Sequence, residues 1–336
     1  MDNILLLTHS EADGSVPKAA LEALSAAKTL GAPVVAGVFG GVVNAASLAG
    51  TGVTKVLVAS GPAFAEPRYA TDAAAATALA KASGATVVVC PAPSRMARVM
   101  AGVAHRLGGR IDTHVTQLVN EGGPTAIRWY YRQRIEAKLR RKERPWVLLV
   151  DPGATAAVKP EGSAAPPVEA VTVAAPEVRT SVSGVRAPSS GEQTIRPDAK
   201  LLLVAGAGWT KKQADGKPHP EKAEELILSF LRASGASLGS SKSLVDQAGE
   251  GQKVFEFMSH LNQVGQTGAT PRHPKGLATC CHGEEPHVVG WRFIRERRAV
   301  NLDASCGWAR GKADVLYVAD AFAVMEKVNA LLAARK

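Results

Sequence analysis

The residues best suited to binding a ligand lie in the second half of the chain, in four short stretches. Three of them contain glycines and the fourth pairs an amide with a carboxylate; they are Val204–Trp209, Gln263–Gly268, Cys280–Trp291 and Val300–Asp303. Glycine lets the backbone approach a phosphate or a flat ring closely, and a helix N-terminus offers free N–H groups to an anion. Together the stretches predict a site for a nucleotide-containing cofactor.

The glycines and amides of this predicted site occupy two loops. Gly206 and Gly208 follow an apolar run, where an ordinary tight turn is an equally good interpretation. Gln263–Gly268 holds two glycines, two amides and a hydroxyl in six residues, a set that is costly to bury and suits a ligand-binding loop. A plain turn remains the alternative on spacing alone.

Imidazole, amide and carboxylate side chains complete the candidate set. His287 lies about one turn into a predicted helix and can hydrogen-bond a ligand atom there. Asn301 and Asp303 are two apart on a predicted strand and therefore point the same way, toward the amino, hydroxyl or ring-nitrogen groups of an adenosine.

A metal site is the competing interpretation of the soft ligands in this part of the chain, which are Cys280, Cys281, His282, His287 and Cys306. Adjacent strand residues face opposite sides, so Cys280 and Cys281 are poorly placed to share one ion, and no C-x-x-C pair occurs. We expect no metal and expect the cysteines to be small buried hydrophobes. Neither a Ser-His-Asp arrangement nor a Walker loop is recognisable, and no G-x-G-x-x-G follows the first strand.

Strands and helices alternate through the first 150 residues, which predicts a doubly wound parallel sheet. The predicted strands are short runs rich in Val, Leu and Ile: Asn3–His9, Pro33–Phe39, Lys55–Ala59, Thr86–Ala92, His114–Val119 and Trp146–Asp151. The predicted helices have Ala and Leu at helical spacing: Pro17–Leu30, Arg68–Ser83 and Ser94–Leu107.

The pattern stops in a segment rich in Pro, Ala, Ser and Gly and then resumes. We predict an N-terminal α/β domain at 1–152, a linker or crossover at 153–196 with an edge strand at Val168–Val173, a second α/β domain at 197–320 and a C-terminal helix at 321–336. The elements predicted in the second domain are strands at Lys200–Ala205, Gly276–Cys281, Arg298–Asp303 and Asp314–Ala319 and helices at His219–Ala233, Val254–Asn262 and Ala321–Ala334. Ligands of such sheets bind at the carboxyl ends of the strands.

The chain has a net charge of +10, and much of the excess lies between Arg128 and Arg144, where eight basic residues meet two acidic ones. A solvated helix face and a docking surface for an acidic partner protein are both compatible with this run. Nucleic acid binding is disfavoured, because the chain has neither zinc-finger spacing nor an RNA-binding aromatic signature. With no apolar run long enough to span a bilayer and no evident signal peptide, we expect a cytoplasmic protein.

In this order, the four stretches resemble the α subunits of electron transfer flavoproteins, and the resemblance covers nearly the whole chain. Gln263-Val264-Gly265-Gln266-Thr267-Gly268 is identical to the Q-V-G-Q-T-G of that family. Residues 277–291 and the later AVNLD are similar to the G-I-S-G-A-I-Q-H and A-I-N-x-D regions, and residues 239–246 are similar to G-A-S-R-x-x-V-D.

This resemblance implies a redox carrier without substrate chemistry of its own, in which FAD is the redox group. It implies a heterodimer with a β-like subunit that takes electrons from a partner dehydrogenase, in a stable complex on our interpretation of the basic runs, and passes them to an oxidoreductase. The cofactor-binding residues that the resemblance implies are Gly206, Gly208, Lys242, Gln263, Gly265, Gln266, Thr267, Gly268, His282, Gly283, His287, Asn301 and Asp303. Gln266 and Thr267 would meet the flavin, His287 its pyrimidine side and Gly283 the diphosphate, and Asn301 with Asp303 the adenosine.

The chain departs from the family pattern inside this site. The family's G-G-R-G is Gly206-Ala207-Gly208-Trp209 here, Lys242 replaces an arginine, and Glu284 with Glu285 lies where a diphosphate would dock. A flavin-free structural subunit of an oxidoreductase complex is therefore the alternative to an FAD-binding carrier.

Overall fold

The structure is a computed structural model of the chain, and it describes residues 2–130, 135–184, 195–196, 198–247, 255–265, 270–280, 294–304 and 313–335. The chain divides into two compact units, Met1–Arg186 and Ala187–Lys336. Each unit has helices packed on a β-sheet, which confirms the predicted α/β class.

In the first unit, the described strands are β1 Ile4–His9, β2 Val34–Gly40, β3 Lys55–Ser60, β4 Val87–Pro91, β5 Arg110–Asn120, β6 Pro124–Tyr130, β7 Ile135–Leu139, β8 Trp146–Val150 and β9 Val168–Ala170. They form one sheet in the order β7-β6-β5-β8-β4-β1-β2-β3-β9. The strands from β8 through β9 in this order are parallel, as is the β5–β8 pair.

Helices cover both faces of this sheet; they are α1 Lys18–Lys28, α2 Tyr69–Ser83 and α3 Ser94–Arg106, in close agreement with the predicted helices. Because side chains alternate along a strand, Ile4 and Leu6 pack on the face that α1 covers, whereas Leu5 and Leu7 pack on the face that α2 and α3 cover. All four are buried, and each such side chain stabilises the fold by about 1.5–3 kcal/mol.

The prediction of an entirely parallel sheet is wrong at one edge, because β6 pairs antiparallel with both β5 and β7. The basic run Arg128–Arg144, interpreted as a solvated helix face, forms the end of β6 and all of β7 within the part that the structure describes. The basic side chains find carboxylates around this edge: Arg128 and Arg141 pair with Asp112, Lys138 and Arg140 with Glu121, and Arg144 with Asp2.

The segment after β8 packs on the first unit. Glu22 fixes its start, accepting a hydrogen bond from the Gly153 N–H at 2.7 Å through the carboxylate and one from the Thr155 hydroxyl at 2.6 Å through the carbonyl. Farther along, Gly50 has a φ of +68°, and a Cβ there would lie 2.3 Å from the Gly162 carbonyl oxygen. The edge strand predicted at Val168–Val173 is confirmed as β9, which pairs with β3.

In the second unit, the described strands are β10 Leu201–Ala205, β11 Ser237–Ser240, β12 His273–Thr279, β13 Ile294–Asn301 and β14 Val315–Val318. They form a parallel sheet in the order β11-β10-β12-β13-β14. The described helices are α4 Pro220–Ser234, α5 Lys242–Asp246 and α6 Ala321–Ala333, which pack with β10 and β11 in one apolar cluster.

The helix predicted at Val254–Asn262 is wrong over the described residues 255–262, where only a short 3₁₀ turn forms at His260–Asn262. Ser259 explains this turn, because its side chain accepts from the Leu261 N–H and Asn262 returns a bond to the Ser259 N–H. Across the described ranges, none of the helices is both long enough and apolar enough to cross a bilayer.

Candidate functional site

The carboxyl end of the second sheet has a topological switch point between β10 and β12. From β10 the chain crosses to β11 on one side, and β12, β13 and β14 then follow on the other side. In open parallel sheets, ligands bind in the crevice at such a point. The loops that leave β10, β11 and β12 and the end of β13 therefore share one edge, and these are the loops in which the sequence predicts cofactor-binding residues.

The loop after β10 is tied to the end of β12. Gly206 donates its N–H to the Thr279 carbonyl at 2.9 Å, and Gly208 donates to the Cys280 carbonyl at 2.8 Å. Trp209 is fully buried, its Nε1 donating to the Thr279 hydroxyl at 3.0 Å. The amides of both predicted glycines thus hydrogen-bond protein carbonyls, and what the glycines offer a ligand is the absence of a side chain.

Trp209 occupies the position where the family pattern has other residues, and its ring turns into the core. The indole packs against Phe322 of α6, with ring centroids 4.6 Å apart. A buried Trp usually hydrogen-bonds its N–H, and here Thr279 provides the acceptor. Trp209 therefore fixes the loop rather than contributing a polar group to the sheet edge.

The start of Q-V-G-Q-T-G lies along β11 as a parallel extension of the sheet. Asn262 donates from Nδ2 to the Leu238 carbonyl at 3.2 Å, Gln263 bridges to Ser240, and the Val264 N–H donates to the Ser240 carbonyl at 3.0 Å. This register requires Gly239, because a Cβ at that position would lie only 2.6 Å from Val264 Cγ2.

Beyond Val264 the loop turns at the carboxyl edge. Gly265 has a φ of +87°, a conformation that favours glycine, and its N–H donates to the Thr270 hydroxyl at 2.6 Å. The predicted residues Gln266, Thr267 and Gly268 lie outside the described residues, between these two bonded positions. The structure therefore describes both ends of the loop and the edge from which it departs.

Polar groups lie beside this loop at the end of β11. The Ser240 hydroxyl is buried and has no hydrogen-bond partner, whereas Ser241 accepts from the Leu244 N–H and caps α5. Lys242 is mostly exposed, and its Nζ lies 3.4 Å from the Asp246 carboxylate. This corner thus has one hydroxyl and one ammonium that a bound anion could engage.

Residues from β12 and β13 complete the described part of the edge. Cys280 is buried with a φ of +55°, directly before the stretch that contains His282, Gly283 and His287, which lie outside the described residues. Asn301 is buried at the last position of β13, whereas Asp303 is exposed two residues beyond the strand. The period-two argument therefore applies to Asn301 only, because Asp303 is not on the strand. Among the residues that the structure describes, no cluster of metal-ligating side chains occurs.

Sequence reasoning missed a second concave site, at the carboxyl end of the first sheet. It is a cavity of about 630 Å³ to which the residues after β1 and β4 contribute, among them His9, Ser94 and Arg95. Polar residues directly after two apolar strands were the available signal. Because they lie far apart in the chain, no local motif brings them together.

Comparison with known proteins agrees with this architecture. The family model for the electron transfer flavoprotein domain matches residues 4–176, just over half of the chain. The chain is also similar to the electron transfer flavoprotein subunit alpha of Syntrophomonas wolfei, with 25% identity over 294 residues that cover 87% of each protein. The chain therefore belongs to the electron transfer flavoprotein family, as a divergent member of the α-subunit type.

Proposed function

We propose that this subunit holds FAD at the carboxyl edge of its second sheet and passes electrons from a partner dehydrogenase to a downstream acceptor, as one half of a heterodimer with a β-type subunit. The observation that supports this most strongly is the docking of Asn262–Val264 along β11. It brings the Q-V-G-Q-T-G sequence to the same edge as Lys242 and Asn301.

The described residues fit FAD in their chemistry. Ser240 has a buried hydroxyl without a partner and Lys242 has a cationic group, and both suit the oxygen atoms of a diphosphate. Asn301, with its buried amide, is suited to the adenosine end. When bound, FAD supplies the redox chemistry, since no amino-acid side chain provides a comparable reversible electron carrier.

The protein residues would bind and orient the cofactor. Lys242 would balance phosphate charge, although an ammonium lacks the planar fork of the arginine in the family pattern. Gly206 and Gly208 would let the ring approach the loop after β10, which Trp209 and Thr279 hold in place. Gln263 and Gly265 would set the direction in which Gln266, Thr267 and Gly268 leave the sheet edge. His282, Gly283, His287 and Asp303 complete the proposed binding set.

Co-expression with a β-type subunit, followed by the visible spectrum and by release and identification of the bound chromophore, tests this proposal. We expect stoichiometric FAD in the purified heterodimer. Gly239→Ala should lower the FAD content several-fold, because the new methyl group displaces Val264 and the loop. Gly276→Ala is a matched control: its Cβ would lie 2.6 Å from Ile294, which strains the same sheet near the amino end of β12. Equal FAD content in both variants would contradict the proposed position of the cofactor.

One observation favours a second candidate, a flavin-free structural subunit. The amides of Gly206 and Gly208, two of the proposed contacts, are already hydrogen-bonded to Thr279 and Cys280. A colourless heterodimer that still assembles with its oxidoreductase would identify this alternative. A coloured heterodimer that loses FAD in the Gly239→Ala variant would exclude it.

The proposed partner dehydrogenase would dock at the basic edge of the first sheet. Lys138, Arg140 and Lys142 are exposed there, although Lys138 and Arg140 share Glu121. Exposed charges of this kind steer association more than they set affinity. The interaction should therefore weaken as salt rises.

A further inference from the structure

The cavity in the first unit is independent of the proposed flavin site. Its volume is about 630 Å³, within the usual range for small-molecule sites. The lining comes from the segments that follow β1, β2 and β3 and from the start of α3: residues 9–12, 41–42, 65–67, 94–95 and 98. All of these residues belong to the continuous described range 2–130.

The cavity lies at the switch point of the first sheet. From β1 the chain proceeds to β2 and β3 on one side, and it returns to place β4 on the other side of β1. His9, the last residue of β1, and Ser94, at the start of the helix that follows β4, both line the cavity. Because a crevice at this position accommodates ligands in parallel α/β sheets, the location itself favours binding.

His9 contributes a hydrogen-bond acceptor to the cavity. The residue is 8% exposed, and Nδ1 lies 3.1 Å from the Ser10 carbonyl oxygen, so Nδ1 holds the proton. Nε2 is then the acceptor, and no group of the described residues hydrogen-bonds it. Burial lowers the pKa of His9, which keeps the ring neutral at pH 7. A ligand with a hydroxyl or N–H donor would satisfy this atom.

The start of α3 provides groups for an anion. Pro93 precedes the helix and offers no side-chain cap, and the N–H groups of Ser94, Arg95 and Met96 have no acceptor among the described residues. Arg95 and Arg98 both pair with the buried Asp72 carboxylate. Two guanidinium groups against one carboxylate leave a net positive charge beside the free N–H groups, which favours a phosphate there.

We propose that this cavity binds a small phosphate monoester that also has hydroxyl groups, of the sugar-phosphate type. The phosphate would accept from the first turn of α3 and from Arg98, whose side chain is 43% exposed. A hydroxyl would donate to His9 Nε2. Glu11 and Glu66 are exposed lining residues, and their carboxylates suit the remaining hydroxyl groups rather than a second phosphate.

Calorimetric titration of the full-length protein in its heterodimer with ribose 5-phosphate tests this site, with ribose and inorganic phosphate as partial ligands. We expect saturable one-to-one binding that is tighter than binding of either partial ligand. Arg98→Gln should weaken binding about tenfold, the effect of one lost charge-assisted hydrogen bond. His9→Asn should weaken it about fivefold, since Asn can keep the bond to Ser10 but lacks the second acceptor.

Arg106→Gln is the matched control, since Arg106 lies at the other end of α3, beside Tyr69, and should leave the affinity unchanged. In the wild-type protein, the ¹⁵N resonance of His9 Nε2 should shift on titration, which tests the contact without relying on a variant that folds. Absence of binding, equal affinity for inorganic phosphate, or equal effects of the Arg98 and Arg106 substitutions would overturn the proposal.

Discussion

At the scale of single residues, Asp112 shows how one buried carboxylate joins three strands of the first sheet. It lies on β5 and accepts hydrogen bonds from Arg128 of β6, from Arg141 beyond β7 and from Trp146 Nε1 of β8 at 2.9 Å. Burial opposes its ionisation, but hydrogen bonds from Arg141 and Trp146 outweigh that effect, so the pKa of Asp112 lies below its ordinary value.

We expect Asp112→Asn to reduce the free energy of unfolding by about 3 kcal/mol at pH 7, because two guanidinium groups lose a buried partner. The lowered native pKa means that ionised Asp112 stabilises the fold above about pH 4 and that this contribution disappears as the pH falls further. Urea unfolding of wild type and variant from pH 7 to pH 3 should show the difference shrinking. Glu121→Gln, which removes an exposed carboxylate, should cost less than about 1 kcal/mol; equal losses in the two variants would contradict this interpretation.

At the scale of elements, predictability follows the environment of each strand. Trp146–Val150 is buried throughout and was predicted at nearly its observed bounds, because a short apolar run is characteristic of a central parallel strand. β6 and β7 were missed, since their partly exposed, charged residues resemble a solvated helix face in sequence. Their pairing depends on carboxylates such as Asp112 and Glu121, which no local pattern relates to them.

The basic edge formed by β6 and β7 yields a prediction about the proposed partner. Replacing Lys138, Arg140 and Lys142 together by Gln should lower the affinity for the partner dehydrogenase and flatten its salt dependence, because exposed charges are removed. The melting temperature should stay close to that of the wild type, since Lys138 and Arg140 pair only with the exposed Glu121. Affinity measured across a salt series decides the matter, and an unchanged series would argue against docking here.

The segment that follows β8 yields a second prediction at this scale. Gly50→Ala combines a positive φ with a Cβ only 2.3 Å from the Gly162 carbonyl, whereas Gly84→Ala has a similar φ of +60° and open space around it. We expect a cost of about 1 kcal/mol for Gly84→Ala from backbone strain and about 2 kcal/mol more for Gly50→Ala from displacement of the segment. Chemical denaturation measures both, and equal costs would show that residues 161–162 yield easily.

At the scale of the whole molecule, each of the two units has a crevice at its own switch point, and the sequence indicated only one of them. The second unit has a local motif, Gln263–Gly268, whose polar and flexible residues are recognisable together. The cavity of the first unit is assembled from His9, Arg95 and other residues distant in sequence, so that only the fold brings them together. A local motif can locate a site, whereas a site distributed over several loops requires the structure.

The net charge of +10 also has a consequence at this scale. Five of the basic residues between Arg128 and Arg144 pair with carboxylates, which leaves a weaker field than the count suggests. We expect no saturable binding to duplex DNA near physiological salt, measured by fluorescence anisotropy. Tight binding that weakens steeply with salt would contradict this expectation.

The position of Asn262–Val264 along β11 affects more than ligand binding. β11 is the outermost strand of its sheet, and the loop occupies the Leu238 and Ser240 carbonyls that would otherwise face outward. Uncovered strand margins act as templates for intermolecular pairing and aggregation. The same three residues therefore protect the protein against self-association, and a substitution that detaches them should cause precipitation on storage as well as loss of colour.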